Sequence, residues 1–170
     1  MTEFEKLRRD AEKYKILYPA RTRIVLEFMH DKYPVPIGTM GTVRHIDAAS
    51  NIDVAWDNGR TLSLCPQIDE FRRLNQNEQR FDEEIIEFVN NAAAKLQRFR
   101  DSIDYTMPDG QHKLHVYVDL FVGTTSPAYI IEAVPTKWYR TALYKNKDDL
   151  LREIRYLISR YLPLSTRTYP

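Results

Sequence analysis

The chain has 170 residues, 43% of them hydrophobic and 29% charged, a balance that supports a buried core and excludes disorder by composition. A formal net charge of +1 excludes the strongly basic class that holds nucleic acid by charge alone, and a single cysteine, Cys65, excludes an intramolecular disulfide. No run approaches the ~20 apolar residues of a membrane helix, and the opening MTEFEKLRRD lacks the apolar stretch of a signal peptide, so a soluble cytoplasmic protein without a membrane partner is expected.

In chain order, Thr2 with Glu5 three residues later makes a capping box, and Phe4, Leu7, Ala11 and Tyr14 fall on one helical stripe before Pro19. A helix is expected over residues 1–17. The period then changes to two: TRIVLEFM, TMGTVRHID, NIDVAW and RTLSL read as strands, and FRRL as a short closing one. Between the third and fourth, Asn58-Gly59 is the dipeptide that favours a type I′ hairpin turn. Five short strands with glycines at 38, 41 and 59 suggest a small, strongly bent barrel over residues 18–75.

NQNEQ reads as a linker or a helix start, after which Phe81, Ile85, Phe88, Val89, Ala92, Leu96 and Phe99 recur at helical spacing. IDYTM, HKLHVYVDLFV, AYIIEAV and WYRTALY then read as a four-stranded antiparallel meander. Asn146 can cap a last helix, KDDLLREIRYLISRYL, ended by Pro163. The fold class is therefore α+β: an N-terminal helix, a small barrel, and an α-β-β-β-β-α domain over residues 76–170.

Residues 18–74 carry Tyr18-Pro19 with Arg23, the PIGTMGTV segment, the Asp47 turn, the VAWDNG hairpin, and the closing Asp69 and FRRL. Together these resemble the prokaryotic module known as domain of unknown function 4314. The resemblance implies an SH3-like barrel, often carried by plasmids, integrative elements and phages and joined to varied partner domains. It implies no chemistry. Cys65-Pro66-Gln67 departs from the glycine-bearing loop more usual there. Residues 76–170 show no family resemblance.

Cofactor motifs are absent: there is no GxxxxGK[ST] and no CxxC, and His112-x-x-His115 sends its two imidazoles to opposite faces of a strand, so no cofactor or metal is expected. The best catalytic candidates are His115, Tyr117 and Asp119, which share one face of the second meander strand and can serve acid-base chemistry such as RNA scission. Lys137 or Arg140 would hold phosphate, and Glu132 would join in a suitable register. His115 and Asp119, about 13 Å apart along an extended strand, cannot touch without a bend. The competing reading is the solvated face of a half-covered sheet.

Residues 137–170 hold eight basic and three acidic residues interleaved with aromatics. Lys137, Trp138, Arg140, Lys145, Arg152, Arg155 and Arg160, with Trp56 of the barrel, are the candidate contacts to RNA or a nucleoprotein, cations meeting phosphates and rings stacking on bases. For Trp56 a core position is the competing reading, and for the arginines an ordinary solvated helix face. The expected function is that of a mobile-element accessory protein binding a host RNA or nucleoprotein, with inhibition of a CRISPR effector nuclease as the first specific reading. That reading rests on association with the elements that carry such barrels. A small ribonuclease using His115 and Asp119 is one rival, and a protein-interaction adaptor another.

Overall fold

The computed structural model describes residues 1–162. The chain forms two compact units, Met1–Leu74 and the segment from Asn75 onward. Pro163, expected to end the last helix, lies outside the described residues.

In the first unit, helix α1 (Glu3–Leu17) starts at the expected capping box: the Thr2 side chain accepts from the Glu5 backbone N–H, and Glu5 accepts from that of Thr2. Of the expected stripe only Ala11 is fully buried and Tyr14 packs at the margin, whereas Phe4 is exposed. Four strands follow, β1 (Arg23–Phe28), β2 (Met40–Ile46), β3 (Ile52–Trp56) and β4 (Glu70–Arg73), in the antiparallel order β3-β2-β1-β4. Their inward residues Ile24, Leu26, Val43, Ile52, Val54 and Trp56 form one core with Leu64.

Two expectations here need correction. RTLSL is not a strand: its pairing shrinks to a single antiparallel bridge between Ile52 and Leu64. The Trp56 indole N–H donates to the Leu62 carbonyl at 2.7 Å, taking an acceptor that a ladder would have used. The turn is not type I′ at Asn58-Gly59 either. It runs from Trp56 to Gly59, closed by a 2.9 Å backbone bond, and only Gly59 (φ 81°) is left-handed. Asp57 is fixed by two 2.7 Å bonds from Arg23, and the Asn58 carboxamide accepts from the Arg60 N–H, so the turn begins one residue earlier.

In the second unit, α2 (Gln76–Lys95) opens with a capping box between Asn75 and Glu78. It stops before Phe99, which is exposed; the Asp101 carboxylate accepts from the N–H groups of Gln97 and Arg98 and turns the chain. Strands β5 (Ser102–Thr106), β6 (Lys113–Leu120), β7 (Pro127–Val134) and β8 (Tyr139–Leu143) form the expected antiparallel meander, and α3 (Lys147–Tyr161) closes the unit. One face of the sheet, with Leu114, Val116, Val118, Tyr129 and Ile131, packs against Phe81, Ile85 and Val89 of α2 and Leu150, Ile154 and Leu157 of α3. An ion pair in which Arg155 Nη2 lies 2.9 and 3.0 Å from the two Asp82 carboxylate oxygens joins the two helices. Among the described residues no helix is long and apolar enough to cross a membrane.

Candidate functional site

Alternation along β6 puts His115, Tyr117 and Asp119 on the sheet face away from the helices, while Leu114, Val116 and Val118 enter the core. Leu120, which alternation would turn inward with them, is 41% exposed. Register then selects which neighbours these residues meet. Asp104 of β5 lies opposite His115, Glu132 of β7 lies opposite on the other side, and Tyr139 of β8 lies beyond Glu132. Asp104, His115, Glu132 and Tyr139 therefore form one row across the sheet.

Side-chain hydrogen bonds hold both carboxylates of the row. His115 Nδ1 lies 2.5 Å from Asp104 Oδ1, and Lys113 Nζ lies 3.5 Å from the other Asp104 oxygen. The hydrogen bond from His115 holds the Asp104 carboxyl below the usual range, against an opposing contribution from burial. Tyr117 donates its hydroxyl to Glu132 Oε1 at 3.1 Å, and its ring centre is 5.3 Å from that of His115. Partial burial, and then the Glu132 charge, push the Tyr117 phenol above its usual range. Asp119 is exposed at the far end, its Oδ1 accepting from the neighbouring Leu120 N–H. The carboxylate beside His115 is thus Asp104, which alternation on IDYTM marks as outward-facing but only the strand register brings to the histidine. His112 is separate, held by Asp109 at 2.5 Å. Among the described residues no three His, Cys, Asp or Glu side chains converge on a possible metal position.

The second candidate region lies at the start of β8 and the end of α3. Trp138, 56% exposed, stacks on Tyr161 with centroids 4.8 Å apart and planes at 11°. Arg140 lies 4.3 Å over the Tyr156 ring while donating to Glu153 at 2.6 Å, and Arg160 reaches the same ring at 5.8 Å. Lys137, Lys145 and Arg160 are exposed and make no ion pair among the described residues. The other cations are engaged within the unit: Arg152 bonds Asp149, and Arg155 bonds Asp82 with both side chains mostly buried. Trp56 is 4% exposed in the barrel core, far from presenting a stacking face.

The polar residues that mark the barrel in sequence serve its loops. Asp69 accepts from the backbone N–H groups of His30 and Cys65, Asp47 from those of Ala49 and Asn51, and Arg23 holds Asp57. Residues 8–74 match the model of the family described as domain of unknown function 4314, a span that begins inside α1 and so includes the Ala11 and Tyr14 contacts to the barrel. No curated protein and no solved structure matches the chain.

Proposed function

We propose that the protein is a cytoplasmic accessory factor of a mobile genetic element that binds an RNA or ribonucleoprotein of its host, and that its specific task is inhibition of a CRISPR nuclease. The observation that carries the RNA-binding reading is the exposed Trp138–Tyr161 stack beside Lys137 and Arg160. A flat apolar ring held rigid by a second ring offers a base a stacking surface without further ordering, and unpaired cations nearby neutralise phosphate. The CRISPR-directed part rests on the kind of element that carries barrels of this family.

Titration of a fluorescent single-stranded RNA tests the first part. Trp138→Ala should weaken binding by about 1–3 kcal/mol, the weight of one base-aromatic stack. Lys137→Ala with Arg160→Ala should flatten the dependence of log K on log salt by about 0.7 for each phosphate that is no longer neutralised. A guide-RNA-loaded nuclease cleaving its DNA target tests the second part: wild-type protein should slow cleavage and Trp138→Ala should not. Absence of both RNA binding and inhibition rejects the proposal.

A further inference from the structure

We propose that the outer face of the sheet formed by β5 to β8 is a metal-independent RNA-cleaving site, with Glu132 taking the proton of a ribose 2′-hydroxyl and His115 giving one to the departing 5′-oxygen. The inference rests on the reading that the chain contacts RNA, and adds a reaction to it. Asp104 occupies His115 Nδ1, which leaves Nε2 as the ring nitrogen that meets substrate. Glu132 stands opposite His115 in the register, where facing Cβ atoms are about 4.5–5.5 Å apart, so a base and an acid lie side by side on one sheet face. The Tyr117 hydroxyl holds one Glu132 oxygen and leaves the other for the 2′-hydroxyl. Lys113, two residues from His115 on the same face, lies 3.5 Å from Asp104 and balances that carboxylate, and exposed Tyr139 beyond Glu132 offers a ring to the base.

The step balances without a co-reactant. Glu132 accepts the 2′-hydroxyl proton as the 2′-oxygen bonds to phosphorus, the bond from phosphorus to the 5′-oxygen breaks, and imidazolium His115 protonates that oxygen. The products are a 2′,3′-cyclic phosphate and a 5′-hydroxyl, and water returns the proton from Glu132 to His115. A strand lacking the 2′-hydroxyl has no nucleophile. The distance that kept Asp119 from serving His115 is immaterial here, because Asp104 and Glu132 are its immediate neighbours across the sheet.

The experiment incubates the purified full-length protein with labelled single-stranded RNA in the presence of EDTA and resolves the products, while anisotropy follows binding of the matching 2′-O-methyl strand. Cleavage of RNA but not of the 2′-O-methyl strand, leaving 2′,3′-cyclic ends, is expected. His115→Ala and Glu132→Gln should each slow it on the order of 10²-fold or more with binding retained. Gln keeps an oxygen for Tyr117, so Glu132→Gln tests the base without disturbing the fold. Binding without cleavage, or cleavage by both variants at the wild-type rate, overturns the inference and leaves the binding reading standing; a wild-type protein that does not bind the strand overturns both.

Discussion

Replacing Arg155 by Ala separates two roles that the same residue type can play on α3. The guanidinium makes two bonds to Asp82, with side-chain exposures of only 16% and 10%, so its removal takes a close cationic partner from a largely buried carboxylate. Breaking a buried pair at one partner costs 3–5 kcal/mol; with part of each group still hydrated, about 3 kcal/mol is expected. For a cooperative unit of this size each kcal/mol lowers the melting temperature by about 4 °C or more, so a loss of roughly 12 °C should appear in a thermal melt followed by circular dichroism. Asp82→Leu combined with Arg155→Leu should regain most of it, because the buried carboxylate is removed together with its cation. Titrated below its transition, Arg155→Ala should keep the wild-type salt dependence of RNA binding. An unchanged melting temperature with a shallower salt slope would refute the reasoning and make Arg155 a phosphate contact.

Gly41 lies opposite Trp56, and a Cβ built there would come within 2.5 Å of Val54 Cγ1 and 2.8 Å of Trp56 Cε3. Gly41→Ala should therefore destabilise the barrel by about 1–3 kcal/mol in urea unfolding, and an unchanged midpoint would show that both side chains give way freely. Asp104 has its carboxyl held low by His115, so its contribution to stability is present above the unfolded value of about 3.9 and is lost as pH falls through the lower folded value. At 45% exposure that contribution is under about 1 kcal/mol. Asp104→Asn should accordingly be slightly less stable than wild type at neutral pH and equal to it near the acid limit, as urea midpoints measured across pH would report; a gap that widens on acidification contradicts the assignment.

Alternation and helical spacing made most elements legible, because burial on one side of a strand or helix is written directly into residue order. What they misjudged was local. The hairpin turn moved because Asp57 and Asn58 are each captured by a partner, Arg23 from β1 and the Arg60 amide, and no dipeptide preference encodes the first of these. The RTLSL segment lost its ladder to the Trp56 indole for a comparable reason. A helix stripe likewise continued on paper to Phe99, although Asp101 stops α2 by accepting from two backbone amides.

The outer-face residues illustrate a different boundary. His115, Tyr117 and Asp119 share a face by parity alone, which any strand reading delivers, yet parity says nothing of the adjacent strand. A shift of the β5 register by two residues would keep every apolar side chain inward and place Ser102 or Thr106, instead of Asp104, beside the imidazole. The cations of α3 raise the same issue from the opposite direction. Composition counts Arg152 and Arg155 equally with Lys137 and Arg160, but Asp149 and Asp82 occupy the first pair, so only the second pair is left to meet a phosphate. Basic content therefore overstates this surface, and its working part narrows to the few groups around the Trp138–Tyr161 stack.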